Sequence, residues 1–276
     1  MKDLSTITAK LQSIVDESAD RFNTDYAGYK DLVIKASRYY LDAMFPTYCT
    51  HPEASGCGEN VRAYYLKTAN DCLFEALKRT LSESEAEHVV DSLLDRIPSI
   101  MEYLVTDIRA GYEGDPAAKS VDEIILAYPA YLAIGIFRIA HELYLLGQTV
   151  VARLMTEYAH QKTGIDIHPG ATIGKRFFID HGTGVVIGET TVIGENVKLY
   201  QHVTLGAKSF PVADDGTLVK GIKRHPNIGN NVVIYAGATI LGGDVYIGDD
   251  AVIGGNVWLI TSVAPGKAVY NRSKEQ

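Results

Sequence analysis

The chain has 276 residues, 46% hydrophobic and 22% charged, with a formal net charge of −8. That balance supplies a sizeable core and excludes the basic surface that a general nucleic-acid or anionic-membrane binder needs. Three cysteines, Cys49, Cys57 and Cys72, are too few for a disulfide scaffold and predict a reducing, cytoplasmic setting.

Met1-Lys2-Asp3 opens mixed polar sequence without the apolar run of a signal peptide. The spacing of Cys49, His51 and Cys57 does not match a structural zinc site, so these are read as incidental side chains. Ser82-Glu83-Ser84-Glu85 predicts a helix start, with acidic residues where the N-terminal dipole favours them. Leu93, Leu94, Ile97, Ile100, Met101 and Leu104 then form an amphipathic stripe, which Pro98 is expected to kink or restart. Gly114-Asp115-Pro116 reads as a turn between helices. The stretch 124–147 is the most apolar, but Pro129, Arg138, His141 and Glu142 interrupt it, which predicts a buried helix rather than a membrane span. Leu143, Leu146, Val150, Leu154 and Tyr158 give a second helical stripe. Residues 1–163 are therefore expected to form an α-helical domain.

From residue 164 to 276 the period changes. Aliphatic residues recur every six positions at Ile167, Ile173 and Ile179, then Ile187, Ile193, Leu199 and Leu205. The phase returns at Ile228, Ile234 and Ile240, then Ile247, Ile253 and Leu259. Six residues correspond to one short strand and one tight turn, the repeat of a left-handed parallel β-helix. Each aliphatic side chain packs on its equivalent in the next coil, so several coils must stack before the core is dry. The chain is thus expected to be α+β, helical first and solenoidal second.

Two interruptions break the phase, and insertions in a solenoid emerge as loops on one face, often the binding face. The first surrounds Asp180-His181-Gly182-Thr183-Gly184. The rung position there is Ile179, so His181 is not a core residue and becomes the candidate general base. A base histidine is usually oriented by a carboxylate, for which Asp166 and Asp180 are candidates. The second interruption, 207–224, ends in Lys220-Gly221-Ile222-Lys223-Arg224-His225-Pro226. The planar guanidinium of Arg224 matches a carboxylate. Lys220 and Lys223 read as a solvated basic loop. Small residues at Gly206-Ala207 and Ala236-Gly237-Ala238 fit either tight corners or a groove for an extended ligand arm. The histidines lack the close pairing of a β-helical zinc site, so no metal is expected.

The runs Gly164-Ile165-Asp166-Ile167-His168-Pro169, Asp180-His181-Gly182-Thr183-Gly184, Gly188-Glu189-Thr190, Val203-Thr204-Leu205-Gly206 and Arg224-His225-Pro226 resemble serine O-acetyltransferases. In the helical half, Asp115-Pro116-Ala117 and Arg138-Ile139-Ala140-His141 resemble the same family. The resemblance implies transfer of the acetyl group of acetyl-CoA to L-serine, the first step of cysteine biosynthesis, with no metal. It implies His181 as base, Asp166 orienting it, and Asp115 and Asp180 binding the serine ammonium. Arg224 is implied to hold the serine carboxylate, and His225 to contact substrate. Gly206, Ala207 and Ala236 are implied to line the coenzyme A arm. It further implies a homotrimer or a dimer of trimers, with sites between chains, and feedback inhibition by cysteine.

Two departures stand out. The 207–224 loop is longer than in the common enterobacterial type and carries Ser209-Phe210-Pro211. The chain ends Lys274-Glu275-Gln276 rather than in a long tail finishing with isoleucine, so a complex with O-acetylserine sulfhydrylase is expected to be weak or absent. Two rivals remain: a hexapeptide acyltransferase for homoserine or a sugar, and a non-catalytic β-helical scaffold. Asp115 and Arg224 favour an amino-acid acceptor, which needs one carboxylate and one cation.

Overall fold

A computed structural model describes residues 4–18, 26–48 and 60–271. Cys49, His51, Cys57 and the C-terminal Lys274-Glu275-Gln276 lie outside the described residues; Cys72 is a free, buried thiol.

Among the described residues seven α-helices come first: α1 Leu4–Glu17, α2 Tyr29–Met44, α3 Val61–Leu77, α4 Glu83–Gly114, α5 Val121–Ala127, α6 Pro129–Leu145 and α7 Thr149–Thr163. The expected start of α4 is a full capping box: Ser82 Oγ accepts the Glu85 N–H while Glu85 reaches back to the Ser82 N–H. The helix then runs through Pro98 without a restart. Pro98 lies on the exposed side of α4, where the carbonyl it leaves without a helical partner can turn to water. Leu93, Ile97, Ile100 and Leu104 are buried as the stripe predicts.

The second stripe needs correction. Gly147 takes the left-handed region, φ 78°, and separates α6 from α7. Val150 is consequently exposed, and α7 buries Val151, Ala152, Met155 and Ala159 instead. Ala133, Ile134, Ile136, Phe137, Ile139 and Leu143 of α6 are buried, so its apolar content is spent on packing. Among the described residues no single helix is long and apolar enough to cross a membrane; α5 and α6 reach that length only together, bent by 77°.

Beyond α7 the chain winds into a three-sided parallel β-helix. One face stacks β1 Ile165–Ile167, β4 Val185–Ile187, β7 Thr204–Gly206, β10 Thr239–Leu241 and β13 Trp258–Leu259 in that order. The second stacks β2 Thr172–Ile173, β5 Val192–Ile193, β8 Asn227–Ile228 and β11 Tyr246–Ile247. The third stacks β3 Phe178–Ile179, β6 Lys198–Leu199, β9 Val233–Ile234, β12 Val252–Ile253 and β14 Ala268–Val269. Register is rung on rung: Ile167 on Ile187, Ile187 on Leu205, Leu205 on Ile240 and Ile240 on Leu259. All thirteen hexapeptide positions read from the sequence are buried, each contributing about 1.5–3 kcal/mol relative to exposure.

Candidate active site

A buried ion pair between α4 and α6 helps fasten the helices to the β-helix. Arg138 of α6 donates Nε to Asp107 Oδ2 at 2.6 Å and Nη2 to Asp107 Oδ1 at 2.9 Å. Its remaining donors go to the carbonyls of Ile173 and Gly174, and Asp107 accepts the Phe177 N–H at 2.8 Å. Both charged groups find hydrogen-bond partners here, although burial outweighs Arg138 and raises the Asp107 carboxyl. The last turns of α4 then lie on β3, where Gly111 and Gly114 face the Phe178 ring. A β-carbon at Gly114 would stand 3.0 Å from that ring, so a larger residue would push the helix end away.

That docking delivers Asp115 to the edge between the third and first faces. Stacked corner residues on this edge, Gly164, Gly184, His202, Gly237 and Asn256, all have left-handed backbone, φ from 56° to 73°. His181 also has φ 59° but belongs to the extra residues before Gly184, so it stands outside this ladder with a side chain 66% exposed. Left-handed backbone at a non-glycine residue is uncommon and often marks functional positions. The His181 ring is 3.7 Å from Asp180 Oδ1, and Asp180 is itself buried. Lys198 Nζ stands 3.2 Å from Asp180 Oδ2 and donates to the Gly114 carbonyl at 2.6 Å, where the negative end of the α4 dipole favours a cation. Burial works to lower the Lys198 ammonium, but Tyr200 and the Asp180 carboxylate outweigh it and hold it above its ordinary value. Asp115 accepts the Tyr128 hydroxyl at 2.5 Å and the Ala117 N–H at 2.8 Å, and these bonds hold its carboxyl below the usual range. The Asp115 bond in turn pushes the Tyr128 hydroxyl up to about 12.

A second polar cluster occupies the edge between the first and second faces. Arg224 Nη2 donates to Glu189 Oε2 at 2.6 Å, and Glu189 Oε1 accepts the Tyr144 hydroxyl from α6 at 2.8 Å. Burial works to raise the Glu189 carboxyl, but Tyr144 and Arg224 outweigh it and hold it below the ordinary value. His225 is 7% exposed and lies against Gly188, where a β-carbon would fall 2.0 Å from its ring. Burial, then the Arg224 charge, pushes the His225 imidazole down to about 4. His168 shares this edge; burial and then Arg153 lower its imidazole, with Glu189, Asp166 and Arg224 also acting on it.

The structure thus brings Asp115, Asp180 and His181 together on one edge and Arg224 and His225 together on another, with the β1–β4–β7–β10–β13 face between them. Within one chain Asp166 does not pair with His181. Its nearest cation is Arg153, at 3.9 Å, and it is the outward-facing middle residue of β1 on the first face. Glu157, His160 and Asp166 bring three potential ligand atoms within 4.8 Å of one another, but Arg153 pairs with both carboxylates. Gly206 and Ala207 lie on the Arg224 side of the face and Ala236 on the His181 side. A β-carbon at Gly206 would stand 2.8 Å from the Leu241 side chain. Sequence reasoning does not single out Lys198, Tyr128 or Tyr144. For Lys198 a signal exists: its register on Phe178 places a cation directly above the residue that precedes the Ile179 rung.

The fold and these two polar edges define a hexapeptide-repeat β-helix protein of the acyltransferase type. No family model matches the chain. It is 53% identical over 195 residues to a plasmid-encoded serine acetyltransferase of Synechococcus elongatus, covering 71% of this chain and 60% of that protein. It is 46% identical over 163 residues to the serine acetyltransferase of Mycobacterium tuberculosis, covering 59% of this chain and 67% of that protein. Among solved structures, serine acetyltransferase 1 of Entamoeba histolytica in complex with L-cysteine superposes with a TM-score of 0.79 at 39% identity, covering 86% of each chain. The Neisseria gonorrhoeae enzyme in complex with serine gives 0.59 at 27% identity, over 97% of this chain and 95% of that one. The chain belongs to the serine acetyltransferase family.

Proposed function

We propose that this chain transfers the acetyl group of acetyl-CoA to the hydroxyl of L-serine, giving O-acetyl-L-serine and CoA as the first step of cysteine biosynthesis. The observation that carries the reading is the pairing of an exposed, left-handed histidine beside two carboxylates with a separate carboxylate-matching guanidinium. An amino acid presents an ammonium, a carboxylate and, in serine, a hydroxyl. Asp115 and Asp180 suit the first, Arg224 the second and His181 the third.

In this scheme His181 takes the hydroxyl proton as the serine oxygen attacks the thioester carbon. The C–O bond forms, the C–S bond breaks, and the thiolate leaves with the proton His181 returns. A positioned base of this kind typically contributes ~10²–10⁴-fold, and holding both reactants together contributes more. Gly206, Ala207 and Ala236 would line the coenzyme A arm along the first face.

The helical residues 1–163 supply Asp115, and residues 164–276 form the transferase unit. The two polar edges flank one face, so a second copy is needed to bring the His181 edge of one chain against the Arg224 edge of another. This supports a homotrimer or a dimer of trimers. On the same reading Asp166, on the first face, orients His181 of the neighbouring chain. Cysteine, sharing the ammonium and carboxylate of serine, would compete for the site; the Entamoeba relative was solved with L-cysteine. This reading places the enzyme in the cytoplasm. The test is thiol release from acetyl-CoA with L-serine, homoserine and a sugar as acceptors, with His181→Ala as control. Activity only on a sugar would replace this reading, and activity that survives His181→Ala would remove the base.

A further inference from the structure

The Arg224 edge contains a histidine whose protonation is settled by geometry. Thr190 surrounds the Nδ1 side of His225. The Thr190 backbone N–H donates to Nδ1 at 3.1 Å, and the Thr190 hydroxyl lies 2.9 Å from the same nitrogen. That hydroxyl oxygen already accepts two backbone N–H groups, from Arg224 at 3.0 Å and His225 at 3.1 Å. Its own proton is therefore free to point at Nδ1. A backbone N–H can only donate, so Nδ1 must offer a lone pair, and a neutral ring then carries its proton on Nε2. An imidazolium or an Nδ1–H ring would set two donors against each other in a largely buried site, at the cost of an unmade hydrogen bond.

The Nε2 side of the ring packs against Gly188. Among the described residues the buried side-chain polar atoms without a partner are Thr191 Oγ1 and Gln201 Oε1. Among the described residues His225 Nε2 is neither one of these nor hydrogen-bonded, which leaves its N–H available to a ligand.

We propose that Thr190 locks His225 as a neutral Nε2–H imidazole, a donor to an anionic oxygen of the substrate that does not exchange protons during turnover. The proposal rests on the acetyl-transfer reading and divides its labour: His181 moves the proton, and His225 only donates a hydrogen bond. Thr190 is a positioning residue for both clamps, since its hydroxyl also holds the Arg224 backbone. The charged and titratable groups facing His225 are Arg224, Lys223, Glu189 and His168. The two cations oppose protonation, and burial acts in the same direction.

Histidine ¹⁵N NMR on the full chain, titrated between about pH 5 and 8, tests the proposal. His225 should show an unprotonated Nδ1 and a protonated Nε2 throughout, with no transition. A ring that titrates in that window, or that carries its proton on Nδ1, overturns it. Thr190→Val keeps the backbone N–H against Nδ1, so its His225 ring should stay unprotonated there, but losing the hydroxyl frees the Arg224 and His225 backbones and should raise the KM for serine, while Thr190→Ser preserves the wild type. A KM for serine unchanged in folded Thr190→Val would contradict the positioning role of Thr190, and a ring that titrates in that variant would contradict the lock. If that variant does not fold, the wild-type titration still decides. NMR needs no turnover, so a locked ring in a chain that does not acetylate serine fails the functional reading alone. A titrating ring in an active enzyme fails the lock alone.

Discussion

Lys198 Nζ donates to the Gly114 carbonyl oxygen at 2.6 Å, tying the last turn of α4 to the β-helix beside Asp180. The contact joins residues 84 positions apart and fixes Asp115, the next residue, relative to His181. Lys198→Met keeps the packing against Phe178 and Tyr200 but removes the charge. Hydrogen bonds to charged groups contribute about 1.5–3 kcal/mol, so the KM for serine is expected to rise by roughly 10–100-fold. Steady-state kinetics with both substrates checks this, and the KM for acetyl-CoA should move little.

The Arg138–Asp107 pair sets how the helices sit on the β-helix. Asp107→Ala leaves Arg138 buried and partly unpaired, which costs about 3–5 kcal/mol for such groups. Urea unfolding should show that loss. The double variant Asp107→Ala/Arg138→Leu should lose less than the two single changes added together, because the orphaned charge is gone.

His225 gives the protein an acid sensitivity with a defined sign. Its imidazole sits near about 4 in the folded chain and 6.5 in its ordinary state, so the unfolded chain binds the proton first. The stabilisation is therefore complete above pH 6.5 and is lost as pH falls toward about 4. Unfolding midpoints measured across that window should decline for the wild type. The part of the decline due to His225 should vanish in His225→Asn, which carries no titrating ring.

The legibility of the chain follows its physics. The rungs were readable because a six-residue period has one cheap solution, an aliphatic column, and the phase breaks at His181 and before Arg224 were readable against that regularity. The Ser82 capping box was readable because its partners are three residues apart. Contacts that close the site are not local: Lys198 with Gly114, Arg138 with Asp107 and Tyr144 with Glu189 depend on how helices dock onto coils. No period encodes them. The stripe from Leu143 to Tyr158 misled for a related reason: Gly147 turns the chain between two helices whose apolar positions happen to continue in phase.

The two-edge geometry makes a prediction about mixing. His181→Ala and Arg224→Ala should each be nearly inactive. Chains carrying the two changes, unfolded and refolded together, should recover activity at interfaces that pair an intact His181 edge with an intact Arg224 edge. Random assembly in a closed ring gives roughly a quarter of interfaces that pairing. An assay of the mixture against each variant refolded alone reads the recovery directly.

CoA release from acetyl-CoA in the presence of L-serine is the measurement on which the account turns. The wild-type chain should release thiol with L-serine and form O-acetyl-L-serine in equal amount, with little release for homoserine or a sugar, and His181→Ala should lose ~10²–10⁴-fold while remaining folded. Release that is independent of serine, or preferred with a sugar, would contradict it.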